Sequence, residues 1–383
     1  MLLDAYRALS ASLELLPGRW RGAAPAARTD PARALLHGAS AGEVRAATAL
    51  REVLADGGSP NPWPISTGSV AGLSMGADFQ LPRDLPRRVA AVYEALQPAA
   101  LVLIEAELWP NLLNEATRRS VPVGVAGARI SPTSWQRYRS HRRLSAQLLD
   151  KVSAFAAASP ADAERICSLG VQAHKVEVCG WLKWPKPAAE SCTDHEQSAP
   201  PWRAQKQVPQ PLLVLGSIYP GEASRLHARL RETTLRCGPS RWLLVPRKSQ
   251  HIAAIRREAA RHLPAGSWSV EQRFGVLQQH YKLADAIFVG GGWAGRSCHD
   301  VLEALAAGSR AMCASHTGDP GGKIDRLAKH HLVIDLDRDL ELRGKALEQL
   351  ALAGVDGAYE ELRKEMDGRT RTIRFFQQQG LIL

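Results

Sequence analysis

The chain has 383 residues, more than one hydrophobic core usually serves, and its 45% apolar fraction supports two cores. A formal charge of +11, from 49 Lys and Arg against 38 Asp and Glu, predicts a surface that attracts anions, while 6% aromatic residues and no nucleic-acid motif set RNA and DNA aside. Six cysteines without a C-x-x-C pair read as reduced thiols of a cytosolic protein, and with no run of 18 apolar residues and no signal-peptide core the sequence is not expected to span a bilayer.

Leu2, Tyr6, Leu9, Leu13 and Leu16 recur at spacings of four and three, which predicts an amphipathic helix leading into Arg19 and Arg21. Its apolar stripe docks on the protein's own core or lies in a membrane interface, and the pattern leaves both open. From Ala34 onward short apolar runs alternate with helical stretches. The runs are ALLHGAS (34–40), PWPIS (62–66), ALVLIE (100–105), PVGVAGA (122–128) and AFAAAS (154–159), with helices predicted near 43–56, 87–96 and 112–119. Such alternation specifies a parallel sheet. Residues 185–211 carry six prolines and no apolar period, so they read as a linker. The alternation then begins again with PLLVLGS (211–217), RWLLVPR (241–247), ADAIFVGGG (284–292), SRAMCAS (309–315) and HLVIDL (331–336). The segment from Tyr359 to Gln379 reads as one charged helix crossing back to the first domain. The expectation is therefore α/β, with an N-terminal lead-in over 1–33, a Rossmann-like domain over 34–184, the linker, and a second Rossmann-like domain over 212–383.

Gly290, Gly292 and Gly295 fit G-x-G-x-x-G after the run AIFV, yet they follow a late strand, and SRAMCAS ends without the acid that would bind a ribose. The glycines are better read as letting backbone amides approach an anionic ligand at a helix start. Glu43, just beyond the first strand, is a candidate catalytic carboxylate or the acid of a capping box with Ser40. Glu105 and Glu107 lie beyond the strand LVLI, where two carboxylates call for cations or catalysis. Arg247 and Lys248 place positive charge at the end of WLLVP, suited to a phosphate. Arg137, Arg139, His141, Arg142 and Arg143 form a dense basic run, facing an acidic lipid or phosphate or simply solvent. His299 and Glu303 share one predicted helix face without a third ligand, so no metal is expected.

Taken in order, HGASAGEV, AELWPN, GARIS, GWLKW, PRK and HDVLEALAAG resemble the motifs of the 3-deoxy-D-manno-octulosonic acid (Kdo) transferase family, over about residues 34–310. The resemblance implies a GT-B architecture, two Rossmann-like doubly wound domains facing a central cleft. It implies an inverting, metal-independent enzyme with no cofactor, moving Kdo from CMP-Kdo to a lipid A precursor at an anionic membrane surface, on the cytoplasmic face of the bacterial inner membrane. Carried over residue by residue, it makes Glu43 the general base, joined by Glu107, Arg129 and Lys183. It assigns donor binding to Ser217, Arg247, Gly275, Gly292, His299 and Glu303. The chain departs from the family pattern at Trp181 and Gly127, each in place of Asn, at Lys248 in place of His, and at Asp300 in place of Asn.

Overall fold

A computed structural model of the chain describes residues 2–13, 24–27, 30–55, 63–105, 108–184, 211–231, 241–273, 275–295, 298, 300–314, 323–337 and 356–382. The proline-rich stretch over 185–210 lies outside them. The fold divides into two compact units, Met1–Lys183 with Met366–Leu383, and Trp184–Glu365.

In the first unit the elements are α1 (Leu2–Leu13), β1 (Leu35–Gly38), α2 (Ala41–Ala55), β2 (Ile65–Thr67), α3 (Val70–Leu73), β3 (Phe79–Gln80), α4 (Pro86–Leu96), β4 (Leu101–Ile104), α5 (Pro110–Arg118), β5 (Val123–Ala128), α6 (Pro132–Ser140), α7 (Arg142–Leu149), β6 (Ala154–Ala157), α8 (Pro160–Ser168) and β7 (Val176–Val178). Its seven strands run parallel in the order β3-β2-β1-β4-β5-β6-β7. Alternate residues of each strand serve two cores, because successive side chains point to opposite faces. Leu35, Leu101, Leu103, Val123 and Val125 pack under α4, α5 and α8. Leu36, Val102, Ile104 and Ala126 pack under α2. A sheet covered on both faces explains the continuous apolar runs. Helix starts are equally local: α4, α5, α6 and α8 each open with proline, and Ser131 and Ser159 cap α6 and α8 by accepting from Ser134 N and Asp162 N.

The second unit contains β8 (Leu212–Ile218), α9 (Glu222–Arg231), β9 (Arg241–Pro246), α10 (Ile252–His262), β10 (Trp268–Val270), α11 (Leu277–Lys282), β11 (Ala286–Val289), α12 (Leu302–Ala306), β12 (Ala311–Cys313), α13 (Lys323–Lys329), β13 (Val333–Asp335) and α14 (Asp356–Met366). Its six parallel strands run β10-β9-β8-β11-β12-β13, the Rossmann order. In both sheets the order reverses beside the first strand, between β1 and β4 and between β8 and β11, and a crevice at the carboxyl ends of those strands is where open sheets of this kind take ligands.

The C-terminal segment predicted as one helix is two, α14 and α15 (Gly368–Gln378). Asp367 interrupts them, leaving the helical conformation and accepting from Arg369 N. Gly180 and Gly368 approach so closely that a Cβ on Gly368 would meet Gly180 backbone at 2.6 Å. Trp181 N donates to Met366 O (3.0 Å) and Gly368 N to Trp181 O (2.9 Å). The departure at Trp181 thus sits where the chain is stitched to its own C-terminal segment. Phe375, Phe376, Leu381 and Ile382 are buried in the α2-side core of the first unit, and a Cβ on Gly124 would meet Phe376 and Leu381 at 2.9 Å.

α1 is tied to the rest of the first unit through Tyr6 and Ser10. α1 packs on α4, α5 and α7; Ser10 is buried and its hydroxyl accepts from Asn111 Nδ2 (3.0 Å). Tyr6 donates to Asp84 (3.1 Å), whose carboxylate also caps α5 by accepting from Asn111 N and Leu112 N. Burial pushes the Tyr6 phenol up to about 12, with the Asp84 charge adding to it. Leu9 remains 64% exposed.

Candidate functional site

The strand-to-helix turn after β1 builds the first part of the site. Gly38 is required there, because a Cβ would meet the Glu43 and Val44 backbone at 2.8 Å. Glu43, in the first turn of α2, forms the complete capping box: its Oε2 accepts from Ala39 N (2.7 Å) and Ser40 N (3.2 Å), its Oε1 from Ser40 Oγ (3.0 Å), and its own N–H donates to Ser40 Oγ (3.3 Å). A carboxylate offers about four lone-pair positions. The three donors leave acceptor capacity on Oε1, and the side chain stays half-buried.

Glu105 ends β4 with φ 67, a left-handed conformation that costs a non-glycine residue on the order of 1 kcal/mol. Its Oε1 accepts from Lys183 Nζ at 2.7 Å and lies 3.6 Å from the Arg129 guanidinium. A Cβ on Gly42 would sit 3.4 Å from Lys183 Nζ, so the ammonium lies against the turn that carries Glu43. The fold thereby gathers Glu43, Glu105, Arg129 and Lys183 at the carboxyl ends of β1, β4 and β5. Glu107 lies outside the described residues. Glu105, named with Glu107 for its position past an apolar strand although the family motif pointed to Glu107 alone, is the acid that pairs with Lys183 and Arg129.

Gly127 adopts φ 60 at the irregularity in β5. Glycine and asparagine are the residues that tolerate this conformation best, so glycine in place of asparagine preserves the backbone path leading to Arg129.

In the second unit Ser217 closes β8 with φ 56. Arg247 is exposed just past β9, its N–H donating to Ile218 O (3.0 Å), and its guanidinium has no protein partner among the described residues. Gly275 has φ 84 and open space around the missing Cβ. Gly292 is required for packing: a Cβ would lie 1.5 Å from Ala314 O.

Glu222, which the sequence analysis did not single out, occupies this crevice. It is 1% exposed, and its carboxylate accepts from Tyr219 N (2.9 Å) and, across the switch point, from Gly291 N (2.8 and 3.0 Å). Burial raises its pKa, opposed by backbone hydrogen bonds from Tyr219, Gly291, Trp293 and Ala294. The amides expected to approach an anionic ligand are instead turned to the chain's own carboxylate. The helix expected directly after the glycines begins at Leu302; Asp300 precedes it, accepting from Leu302 N (3.3 Å). Glu303 lies in the first turn of α12, near the fully buried Tyr281, whose hydroxyl fills the space that a Cβ on Gly216 would need. His299 lies outside the described residues.

The model of a family described as 3-deoxy-D-manno-octulosonic-acid transferase matches residues 17–185. A 3-deoxy-D-manno-octulosonic acid transferase of Chlamydia pneumoniae is 28% identical over 293 residues, covering 70% of this chain and 66% of that protein. One of Haemophilus influenzae is 26% identical, covering 75% and 71%. The aligned stretch thus spans just under two thirds of the Chlamydia relative. Among solved structures, a glycosyltransferase from Rickettsia africae superposes with TM-score 0.61 at 10% identity, covering 91% of this chain and 98% of that one. UDP-GlcNAc 2-epimerase from Neisseria meningitidis, bound to UDP-GlcNAc, superposes with TM-score 0.59 at 11% identity, covering 90% and 99%. The fold is GT-B, and over residues 17–185 the chain is similar to the 3-deoxy-D-manno-octulosonic acid transferase family.

Proposed function

We propose that this protein is an inverting, metal-independent glycosyltransferase that moves Kdo from CMP-Kdo to a lipid A precursor in lipopolysaccharide assembly. The observation that carries this reading is the gathering of Glu43, Glu105, Arg129 and Lys183 at the ligand-binding edge of the first sheet, in the part of the chain that matches the family. In this mechanism an acceptor hydroxyl gives its proton to Glu43 Oε1 as its oxygen bonds to the anomeric carbon, and the bond from that carbon to the CMP phosphate breaks. Base catalysis of this kind contributes roughly 10²- to 10⁴-fold. Lys183 and Arg129, only partly neutralised by Glu105, hold anionic groups of the substrates. In the second unit Ser217 and Arg247 bind the departing phosphate, with Gly275 and Gly292 shaping the nucleotide site and His299 and Glu303 at the sugar of CMP. Glu107 completes the acidic side of the acceptor site. The protein works at the cytoplasmic face of the inner membrane as a peripheral protein; among the described residues no helix is long and apolar enough to cross a membrane. The exposed Leu9 and the basic surface support that placement.

The test is transfer from CMP-Kdo generated in situ to a tetraacylated lipid A precursor, read by mass spectrometry, with Glu43→Gln alongside. A Kdo-sized mass gain that the variant loses supports the reading; full turnover by the variant overturns the base. One observation favours a second reading: three protein donors already occupy the Glu43 carboxylate, as in a purely structural cap. A binding protein of this kind would show stabilisation by CMP without transfer. The UDP-GlcNAc held by the Neisseria epimerase makes UDP the control nucleotide, because a ligand that binds only the folded state raises its melting temperature.

A further inference from the structure

The basic run Arg137–Arg143 belongs to neither group of site residues, and its fold is not that of one solvated helix face. His141 (φ −113, ψ 39) breaks the helix, ending α6 and starting α7. Ser145 Oγ fastens the break by donating to Tyr138 O (2.9 Å) and His141 O (3.1 Å). The bend brings Arg139, from the last turn of α6, and Arg142, the first residue of α7, to the wall of one cavity of about 460 Å³, together with Trp135, Ser168 and Leu169.

The cavity is organised without a ligand. Arg139 lies over the Trp135 ring at 4.6 Å. Trp135 Nε1 donates to Ser168 Oγ (2.8 Å), which donates to Arg165 O (2.7 Å), so the indole is held from its far side. No carboxylate among the described residues pairs with Arg139 or Arg142. α8 carries two acids: Asp162 is buried and engaged with Ile130 N, Ser159 and Arg165, and Glu164 is exposed and makes no ion pair with Arg139 or Arg142 among the described residues. Two uncompensated guanidinium groups match the oxygens of a phosphate, each through paired N–H donors. The volume falls within the range of small-molecule sites and exceeds what a bare phosphate fills, and the indole and Leu169 give the remainder an apolar wall.

We propose that Trp135, Arg139 and Arg142 form a binding subsite for a phosphomonoester carried on a sugar or glycerol unit. Tyr138 of the same helix lines a gap of about 10 Å³ together with Glu105 and Arg129, so α6 borders both the subsite and the residues around Glu105. Binding at the subsite does not require transfer.

The full chain is titrated calorimetrically with inorganic phosphate and with glucose 6-phosphate, and is co-sedimented with phosphatidylcholine vesicles with or without phosphatidic acid. R139Q/R142Q is expected to weaken phosphate-dependent binding at least about tenfold. R256Q/R257Q, on the exposed face of α10, carries the same charge change and is expected to bind as the unaltered protein does. Trp135→Phe keeps both charges but loses the Ser168 anchor, and is expected to weaken binding by about threefold; it also serves should the double variant fail to fold. A loss in the soluble arm identifies a free phosphoester, and a loss confined to phosphatidic acid vesicles identifies a lipid headgroup; either supports the subsite. Absence of binding in both arms, equal binding by R139Q/R142Q, or an equal loss in R256Q/R257Q overturns it.

Discussion

The two units place a glutamate at the same point, in the first turn of the helix that follows the central strand. Each reaches back three residues to a backbone N–H: Ser40 N donates to Glu43 at 3.2 Å and Tyr219 N to Glu222 at 2.9 Å. The outcomes differ. Glu43 is half-buried, bonds only within its own turn and retains acceptor capacity beside Lys183. Glu222 is sealed from solvent and ties the loop after β8 to the glycine loop after β11. One local motif thus leaves a carboxylate open to solvent and a cation in the first unit, and seals it among backbone amides in the second.

The largest expected effect separates the two on rate. Glu43→Gln should lower transfer by about 10²- to 10⁴-fold in a mass-spectrometric assay while shifting the urea midpoint little, since the amide oxygen still accepts from the turn. Next is stability. Glu222→Ala leaves the Tyr219 and Gly291 N–H groups without their buried acceptor and should cost the second unit about 4 kcal/mol, read from urea denaturation, whereas Glu222→Gln retains one oxygen and should cost less. Comparable losses from the two Glu→Gln substitutions, in rate and in stability alike, would erase the contrast.

A third effect belongs to the first unit alone. His37 is buried in β1, sharing a hydrogen bond with Ser66 Oγ at 2.9 Å, and burial lowers its pKa from 6.5 to about 4. The unfolded chain therefore takes up the proton first, so this contribution is intact above pH 6.5 and is lost as the pH falls toward 4, by about 3 kcal/mol. His37→Gln should flatten that part of the pH–stability curve; an unchanged slope would reassign it to other groups. The smallest effect concerns backbone shape: Gly127→Asn should cost less than about 1 kcal/mol and leave transfer intact, while Gly127→Val, strained at φ 60, should cost more.

Much of the architecture was legible because the long central strands are buried on both faces and so appear as apolar runs. β1, β4, β5, β9 and β11 fall within runs read from the sequence, and β8 extends one residue past its run. The edge strands β3, β7 and β10 were missed: each spans two or three residues, none of them buried, and carries no period to read. Of the candidate residues, Glu43 and Glu105 stood out by their positions just past apolar strands and Arg129 and Lys183 through family motifs, while the partners of Glu105 and the whole role of Glu222 came only from contacts distant in sequence.

Local composition by itself determined that the chain makes two parallel α/β sheets, since apolar runs, prolines at helix starts and glycines at tight turns act over a few residues. Tertiary structure alone decided the break at Asp367, set by backbone contact with Gly180, and the turning of the glycine loop onto Glu222. It also decided the meeting of Lys183 with Glu105, 78 positions apart. Those outcomes depend on which surfaces the packed sheets bring together, and a one-dimensional pattern holds no record of that distance.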